Sequence, residues 1–278
     1  MRSHLFVALV IVSISGSAWA QIPTGNLAMW LKADAGTTVS SSALTSWADQ
    51  SGNGHNATPD TNSAAITLAS NEINGLPAVQ FNGSSQWMDI AGQVLTSQQF
   101  TVFAVATDTG GDGIATFREI FSNWTPGNGA QSIFLGTTGN LAQTTRAARF
   151  TDDLGGANDP NTPQLGVGQV PNNTTIVLSG ESTASDATAY LDGTALGDRG
   201  SALTTRDPTT AYALGSQGTG GIELWQGDIA EVIVYNSALS DADRNTVTLY
   251  LEQKYGVPEP SVLGFLAVAS LLIRRRAN

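Results

Sequence analysis

Apolar and polar positions alternate with a period of two along most of the chain, a pattern typical of β-strands with one buried face. The predicted strands cover residues 77–81, 100–106, 175–178, 187–191 and 229–235. Turn residues separate them, and Asp192-Gly193 directly after the fourth is a pair that favours a tight hairpin. Many short strands joined by Gly, Asn and Asp turns predict a β-sandwich or barrel.

One helix is predicted after the last strand. Ser240 is a favourable N-cap, and Asp243 completes a Ser-x-x-Asp capping box. Val247 and Leu251 share one apolar face, and Gly256 is a typical residue for ending the helix. The folded domain is therefore expected to end near residue 256.

The first twenty residues have the three parts of a secretory signal peptide. Arg2 supplies the positive charge, an apolar run follows, and Ala18-Trp19-Ala20 matches the small-x-small cleavage pattern. The apolar run, about ten residues long, is too short to span a bilayer. We expect cleavage before Gln21 and removal of residues 1–20.

The last segment, residues 257–278, also has three parts. Its apolar run would reach about 18 Å as a helix, against a hydrocarbon core of about 30 Å. Arginines beyond the run favour an orientation with the domain outside the cytoplasm. From the residues alone, an ordinary C-terminal membrane anchor is the simplest interpretation. The first part is the motif formed by Pro258, Glu259 and Pro260. The last part is the basic cluster of Arg274, Arg275 and Arg276.

The order of these parts at the C-terminus resembles the PEP-CTERM sorting signal. That resemblance implies a Gram-negative bacterium that makes extracellular polysaccharide, and an exosortase that removes the tail near Pro-Glu-Pro. The protein would be exported through the inner membrane and reach the cell surface or extracellular matrix. The protein would contact the membrane only before cleavage, when its tail would form a short transmembrane helix.

Composition narrows the possible partners. The chain has 278 residues with a formal charge of −11 and a pI near 4.4, which argues against nucleic acid as a ligand. It has no cysteine, which excludes disulfides, thiolate metal sites and cysteine nucleophiles. We find no linker inside residues 21–256 and predict one domain there.

Several segments resemble bacterial LamG-like, concanavalin A-like jelly-roll domains. They are LAMWLKAD, SWADQSGNGHNA, NGLPAVQFNG, FTVFAVA, ATAYLDGT and GDIAEVIVYNSALSDADRNTVTLYLEQKYG. The resemblance implies an all-β jelly-roll β-sandwich of two antiparallel sheets, one concave, with one C-terminal helix docked at the edge. Residues 107–170 match no part of that family pattern.

The resemblance raises the question of catalysis, because glycoside hydrolases share this architecture. Their retaining members place two carboxylates on one strand, and the sequence lacks the corresponding Glu-x-Asp-x-x-Glu motif. Asp228 and Glu231 are an odd number apart, so a regular strand would place them on opposite faces. His55, the histidine that signal cleavage leaves, lies in a tight turn. These features predict a non-enzymatic protein, with a glycosidase as the less favoured alternative.

Calcium is the predicted cofactor, because acidic and Gly-rich loops supply the oxygen ligands it prefers. Asp49 and Asn53 flank one such loop. Asp34 and Asp228 are further candidates near the segments that resemble the family. Solvated turn acids are the alternative interpretation for all four.

Aromatic residues predict contact with carbohydrate, since flat rings can stack on sugar faces. Trp124 lies in a predicted loop beside Asn123, and Trp87 follows a turn. Trp30 and Trp47 lie in apolar or family-like segments and are expected in the core. The leading hypothesis is a secreted module that binds an extracellular polysaccharide or mediates adhesion. The alternative is a structural matrix protein without a specific ligand.

Overall fold

The computed structural model describes residues 21–111, 117–123, 133–139, 146–152, 164–198, 200–203 and 211–259. The predicted signal peptide, Trp124, Pro260 and Arg274–Arg276 lie outside them. The described strands are β1 (Leu27–Lys32), β2 (Thr37–Ser40), β3 (Ala43–Trp47), β4 (Ala57–Pro59), β5 (Thr67–Ile73), β6 (Leu76–Asn82), β7 (Met88–Ile90), β8 (Phe100–Asp108), β9 (Phe117–Ser122), β10 (Ile133–Gly139), β11 (Arg146–Asp152), β12 (Gln164–Val170), β13 (Thr175–Ser182), β14 (Ala187–Leu191), β15 (Thr194–Asp198), β16 (Tyr212–Leu214) and β17 (Gln226–Tyr235). A 3-10 turn covers Gly218–Gly220, and helix α1 covers Asp241–Tyr255.

The strands form two antiparallel sheets packed face to face. Sheet I has the order β15-β14-β13-β8-β17-β6-β5, and β1 pairs with the second half of β17. Sheet II has the order β12-β11-β10-β9-β16-β7-β4-β3-β2. This arrangement, with its C-terminal helix, confirms the predicted jelly-roll β-sandwich.

The main core lies between the two sheets. Trp47, Phe121 and Phe150 reach it from sheet II and are fully buried, and Trp225 joins them from the segment before β17. Burying a large apolar side chain contributes about 1.5–3 kcal/mol. Trp47 is therefore a core residue, as expected from the sequence, whereas Trp30 packs on the opposite side of sheet I.

Sheet I is apolar on both faces, and α1 covers its outer face. In β8, Ala104 faces the inter-sheet core while Phe103 faces the helix. The predicted caps are present: Ser240 accepts a hydrogen bond from the Asp243 N–H at 3.2 Å, and Gly256 adopts a φ of 68°. The helix lies on the sheet face rather than at its edge, because that face is apolar. Among the described residues, no helix is both long and apolar enough to cross a membrane.

A buried carboxylate holds α1 on the sheet. Glu231 of β17 is fully buried and accepts hydrogen bonds from Trp30 Nε1 at 2.5 Å and Lys254 Nζ at 2.7 Å. The hydroxyls of Tyr250 and Tyr255 donate to it at 3.0 and 2.8 Å. Burial, and then the charge of Glu231, raise the pKa of both tyrosines, so both remain protonated donors.

A β-bulge in β17 corrects the predicted placement of its two acids. The register shifts between Ile229 and Glu231, so an extra residue enters the strand there. Asp228 pairs with Thr107 and Glu231 with Val105, which lie on the same outer face of sheet I. The prediction of opposite faces is wrong because it assumed a regular strand.

Replacing Lys254 tests the role of this buried network. Lys254→Met keeps an apolar stem but leaves Glu231 without its cation. We expect the free energy of unfolding to fall by about 3–5 kcal/mol in urea titrations, because one member of a buried ion pair is removed. Lys32→Met is the control: its ammonium lies 4.4 Å from the centroid of the Trp30 ring, and its loss should cost less than about 1 kcal/mol. Equal losses in the two variants would contradict the assignment.

Candidate functional site

The outer face of sheet II is the open face of the sandwich, since no described helix packs on it. Three adjacent strands, β9, β10 and β11, lie between the central strand β16 and the edge strand β12. Their cross-strand pairs align Glu119, Gly136 and Arg149 in one row across the sheet. Phe117 and Phe134 lie on the same face, in the rows on either side.

Gly136 makes this row possible. A Cβ atom at this position would lie 2.0 Å from the carbonyl oxygen of Arg118, closer than any real contact. Because position 136 carries no side chain, Arg149 can reach across β10 to the Glu119 carboxylate. The glycine is therefore required both by the bulged backbone of β9 and by the hydrogen bond between Arg149 and Glu119.

Arg149 is buried between two aromatic rings and two carboxylates. The central carbon of its guanidinium lies 4.2 Å from the ring centroids of both Phe117 and Phe134. One nitrogen, Nη1, donates to Glu119 and to Glu223. We call these five residues the Arg149 cluster. Cation–π and charge-assisted contacts are strongest when desolvated, so the cluster is a rigid unit.

Glu223 reaches the cluster from the segment between the 3-10 turn and β17. Its carbonyl oxygen accepts a hydrogen bond from the Glu119 N–H at 3.0 Å. Its φ of 51° lies in the left-handed region, which costs a non-glycine residue about 1–2 kcal/mol. Contacts of both main chain and side chain therefore hold Glu223 in a strained conformation.

The two carboxylates differ in environment. Burial raises the pKa of Glu119 to about 8; the charge of Arg149 opposes this shift and that of Glu223 adds to it. Glu119 therefore keeps a proton at neutral pH. The side chain of Glu223 is 24% exposed. The buried carboxyl of Glu119 therefore lies beside the partly exposed carboxylate of Glu223.

A cleft of about 370 Å³ adjoins the Arg149 cluster. Phe117 and Ile222 are 36% and 42% exposed and provide apolar surface. Glu223 supplies an acceptor, and Ser84 and Gln226 add a hydroxyl and an amide. We call this the Phe117 cleft. An apolar wall with a few polar groups at its edge matches the chemistry of a sugar ring, which has C–H faces and hydroxyl edges.

Two of the predicted sugar-binding residues, Trp87 and Asn123, are buried and do not line this cleft. Trp87 is 8% exposed, and a Cβ atom at Gly221 would lie 2.9 Å from its ring. Asn123 is fully buried, and its Oδ1 accepts a hydrogen bond from the Ile133 N–H at 2.6 Å. Both remain predictions, as does Trp124, which the structure does not describe.

Two of the predicted calcium ligands lie together in one loop. Asp49 accepts hydrogen bonds from the N–H groups of Trp30, Ser51 and His55 and from the Ser51 hydroxyl. Burial raises the pKa of Asp49, but these hydrogen bonds outweigh it and the net shift is downward. Asn53 donates to the carbonyls of residues 27 and 28. Both side chains thus close the loop onto β1.

The other two predicted ligands lie elsewhere. Asp34 pairs with Lys254 at 3.0 Å, and Asp228 lies near Gln80 on the outer face of sheet I. In the described part of the chain, no group of three His, Cys, Asp or Glu residues could hold a metal ion. Calcium binding stays a prediction.

Comparison with known proteins supports the fold. No protein-family model and no curated protein match the chain. Domain 4 of AbnA, a GH43 extracellular arabinanase from Geobacillus stearothermophilus solved with arabinotriose, matches with a TM-score of 0.56 and 16% identity. That match covers 81% of this chain and 98% of the domain.

Sialidase structures from Trypanosoma rangeli also match. The complex with sialic acid has a TM-score of 0.51 and 17% identity, over 84% of this chain and 34% of the sialidase. The complex with 2,3-difluorosialic acid has a TM-score of 0.53 and 16% identity, over 88% of this chain and 36% of the sialidase. The chain thus spans about a third of the sialidase length. At these identities the comparisons show a shared β-sandwich fold.

These comparisons correct the expectation of a non-enzymatic protein. Solved structures with this fold are parts of glycoside hydrolases, an arabinanase and a sialidase. The sequence argument disfavoured that class because one motif was missing, and its prediction of a non-enzymatic protein was wrong. The residues of the candidate site that the sequence did not point to are Glu119, Arg149 and Glu223.

The raised pKa of Glu119 predicts a pH-dependent stability. The folded state keeps this proton up to about pH 8, whereas an unfolded glutamate loses it near its ordinary value of 4.5. The folded state therefore binds more protons between these values, and stability falls as pH rises through this range. Urea unfolding from about pH 5 to about pH 8 should show a shallower fall for Glu119→Gln. Glu72→Gln, on an exposed residue of β5, should keep the wild-type slope. An unchanged slope in Glu119→Gln would contradict the assignment.

Proposed function

We propose that this protein binds carbohydrate in the Phe117 cleft. The observation that supports the proposal most directly is the exposed ring of Phe117, held against the Arg149 guanidinium and flanked by the Glu223 carboxylate. The apolar ring would stack on a sugar face, and the carboxylate would accept hydrogen bonds from hydroxyl groups.

The fold comparisons favour the same class of ligand. Domain 4 of the arabinanase was solved with arabinotriose, and the sialidases with sialic acid or its analogue. These ligands belong to those proteins, and at such low identity their binding residues cannot be transferred. They support carbohydrate as the ligand class, while the Phe117 cleft is proposed from this chain's own residues.

Preorganisation explains why such a small surface could bind a sugar. Phe117 is fixed by Arg149, and Arg149 in turn is fixed by Glu119 and Phe134. A ligand therefore pays little entropy to order the Phe117 side chain. The strained backbone of Glu223 fits this interpretation, because strain of this kind is concentrated at binding sites.

Substitutions in the cleft test the proposal. A glycan array of neutral and acidic polysaccharides, with and without calcium, would identify a ligand. Phe117→Ala and Glu223→Gln should then each weaken its binding at least about tenfold, which corresponds to about 1.4 kcal/mol. Leu249→Ala is a matched control. Leu249 is 37% exposed, much like Phe117, but it belongs to α1, which packs on sheet I. Retained affinity in both cleft variants would refute this site, and no binding to any glycan would favour a structural matrix protein.

Hydrolysis is a second candidate function. The favouring observation is Glu119, a carboxyl whose pKa is raised to about 8 beside the partly open Glu223. Glycosidases use a protonated acid together with an ionised carboxylate. If the site is catalytic, incubation with a bound polysaccharide should release reducing ends, and Glu119→Gln should reduce that rate at least about a hundredfold. Binding without release of reducing ends would exclude this candidate for the polysaccharide tested.

We further propose that residues 21–256 form one LamG-like domain that is exported and processed at both ends. The signal-like sequence at 1–20 and the Pro258-Glu259-Pro260 motif support this route. Mass spectrometry of the mature protein should place its N-terminus at Gln21 and its C-terminus near Pro-Glu-Pro. An intact tail in exosortase-containing cells would contradict sorting by that enzyme.

A further inference from the structure

A second cleft lies on the other side of the sandwich, between α1 and the turn that joins β14 to β15. Its volume is about 370 Å³. Helix residues Thr248 and Glu252 form one wall, and Asp192 and Thr194 form the other. Glu259, just beyond the helix, also lines it. We call this the α1 cleft.

The described lining of the α1 cleft is acidic. Asp192, Glu252 and Glu259 line it, and none of the described lining residues is basic. Glu252 is only 2% exposed, and its Oε1 atom is buried without a hydrogen-bond partner among the described residues. A buried carboxylate oxygen that lines a cavity and lacks a donor indicates a missing cationic or donor group.

Burial and the neighbouring acids disfavour the ionised forms of these carboxyl groups, so a bound cation would offset a real cost. Burial raises the pKa of Glu252 to about 7, and the charges of Asp192 and Glu259 add to this shift. Burial also raises the pKa of Asp192 to about 6. Glu252 lies in the last turn of α1, where the helix dipole is negative. The basic residue of that turn, Lys254, instead contacts Glu231 and Asp34.

We propose that the α1 cleft binds the guanidinium group of an arginine side chain. A metal ion needs several ligands that converge on one point, and the described residues contain no such group of three acidic or histidine side chains. A guanidinium is planar, spreads its charge over five donors and is weakly hydrated. It can therefore donate to Glu252 and also reach Asp192 or Glu259, which a small ion could not do at once.

The arginine would come from a protein partner if the tail is removed as proposed above. It would come from this chain, in which Arg274, Arg275 and Arg276 follow Glu259, if the tail is retained on the same side of the membrane as the domain. Both sources present the same chemistry to the cleft. The site lies on the opposite side of the sandwich from the Phe117 cleft, so the two proposals can fail separately.

Calorimetric titration of the full chain with N-acetyl-arginine amide near pH 8 tests the proposal. We expect saturable binding that Glu252→Gln weakens at least about tenfold. Glu72→Gln, which removes an exposed carboxylate away from the cleft, should not change it. N-acetyl-lysine amide should bind more weakly, since its compact ammonium reaches fewer carboxylates.

A thermal measurement separates lost binding from lost folding. Without ligand, Glu252→Gln should raise the melting temperature near pH 8, because it removes a buried charge that lacks a partner. No saturable binding, unchanged affinity in Glu252→Gln, or tighter binding of calcium chloride than of the arginine probe would overturn the proposal.

A third variant identifies the source of the arginine. Replacing Arg274, Arg275 and Arg276 together by glutamine removes the chain's own C-terminal guanidinium groups. Tighter binding of the arginine probe in this variant would support the tail as the natural occupant. Equal binding in the variant and the wild type would support an arginine from a partner protein.

Discussion

The fold depends on one carboxylate, Glu231, that is taken out of water beneath α1. Burying such a group costs several kcal/mol unless donors surround it. Here the donors come from β1 and from α1, namely Trp30, Tyr250, Lys254 and Tyr255. The strand and the helix must therefore assemble on β17 together. The helix is thereby fixed to one face of sheet I, and the outer face of sheet II is left for a ligand.

Buried charged groups occur in three places in the sandwich, and their surroundings differ. In the Arg149 cluster, one guanidinium contacts the protonated carboxyl of Glu119 and the carboxylate of Glu223, and two rings enclose it. Between the sheets, Asp108 is likewise paired with Arg118 at 2.8 Å and Arg146 at 2.6 Å. In the α1 cleft, by contrast, Asp192, Glu252 and Glu259 lie together, and none of the described residues that line it is basic. In the first two arrangements, described residues of opposite charge satisfy each other, whereas the third would be completed by the arginine proposed above.

Local chemistry explains why some elements could be predicted. The limits of α1 follow from Ser240 and Gly256, and the hairpin between β14 and β15 follows from Asp192 and Gly193, which both have positive φ. These signals act over a few residues, so a sequence displays them directly. The apolar runs of β8 and β17 were equally visible, because both faces of sheet I are covered.

Long-range register explains why the site could not be predicted. Glu119 and Arg149 are thirty residues apart and meet only because Gly136 lies between them on β10. Glu223 arrives from a distant segment. The bulge in β17 also shifts Glu231 by one position, which no alternation rule can reveal. The sequence of β9 did carry one usable signal. Phe117 and Glu119 are two residues apart, so a strand places their side chains on the same face, opposite to Arg118.

The left-handed backbone at Glu223 has an evolutionary consequence. Glycine adopts this conformation without steric cost, so a Glu223→Gly exchange would relieve about 1 kcal/mol of local strain. The same exchange would remove a carboxylate from Arg149 and from the cleft edge. This glutamate is therefore expected to persist only where its contact with Arg149, or its use at the cleft edge, outweighs the strain of its backbone.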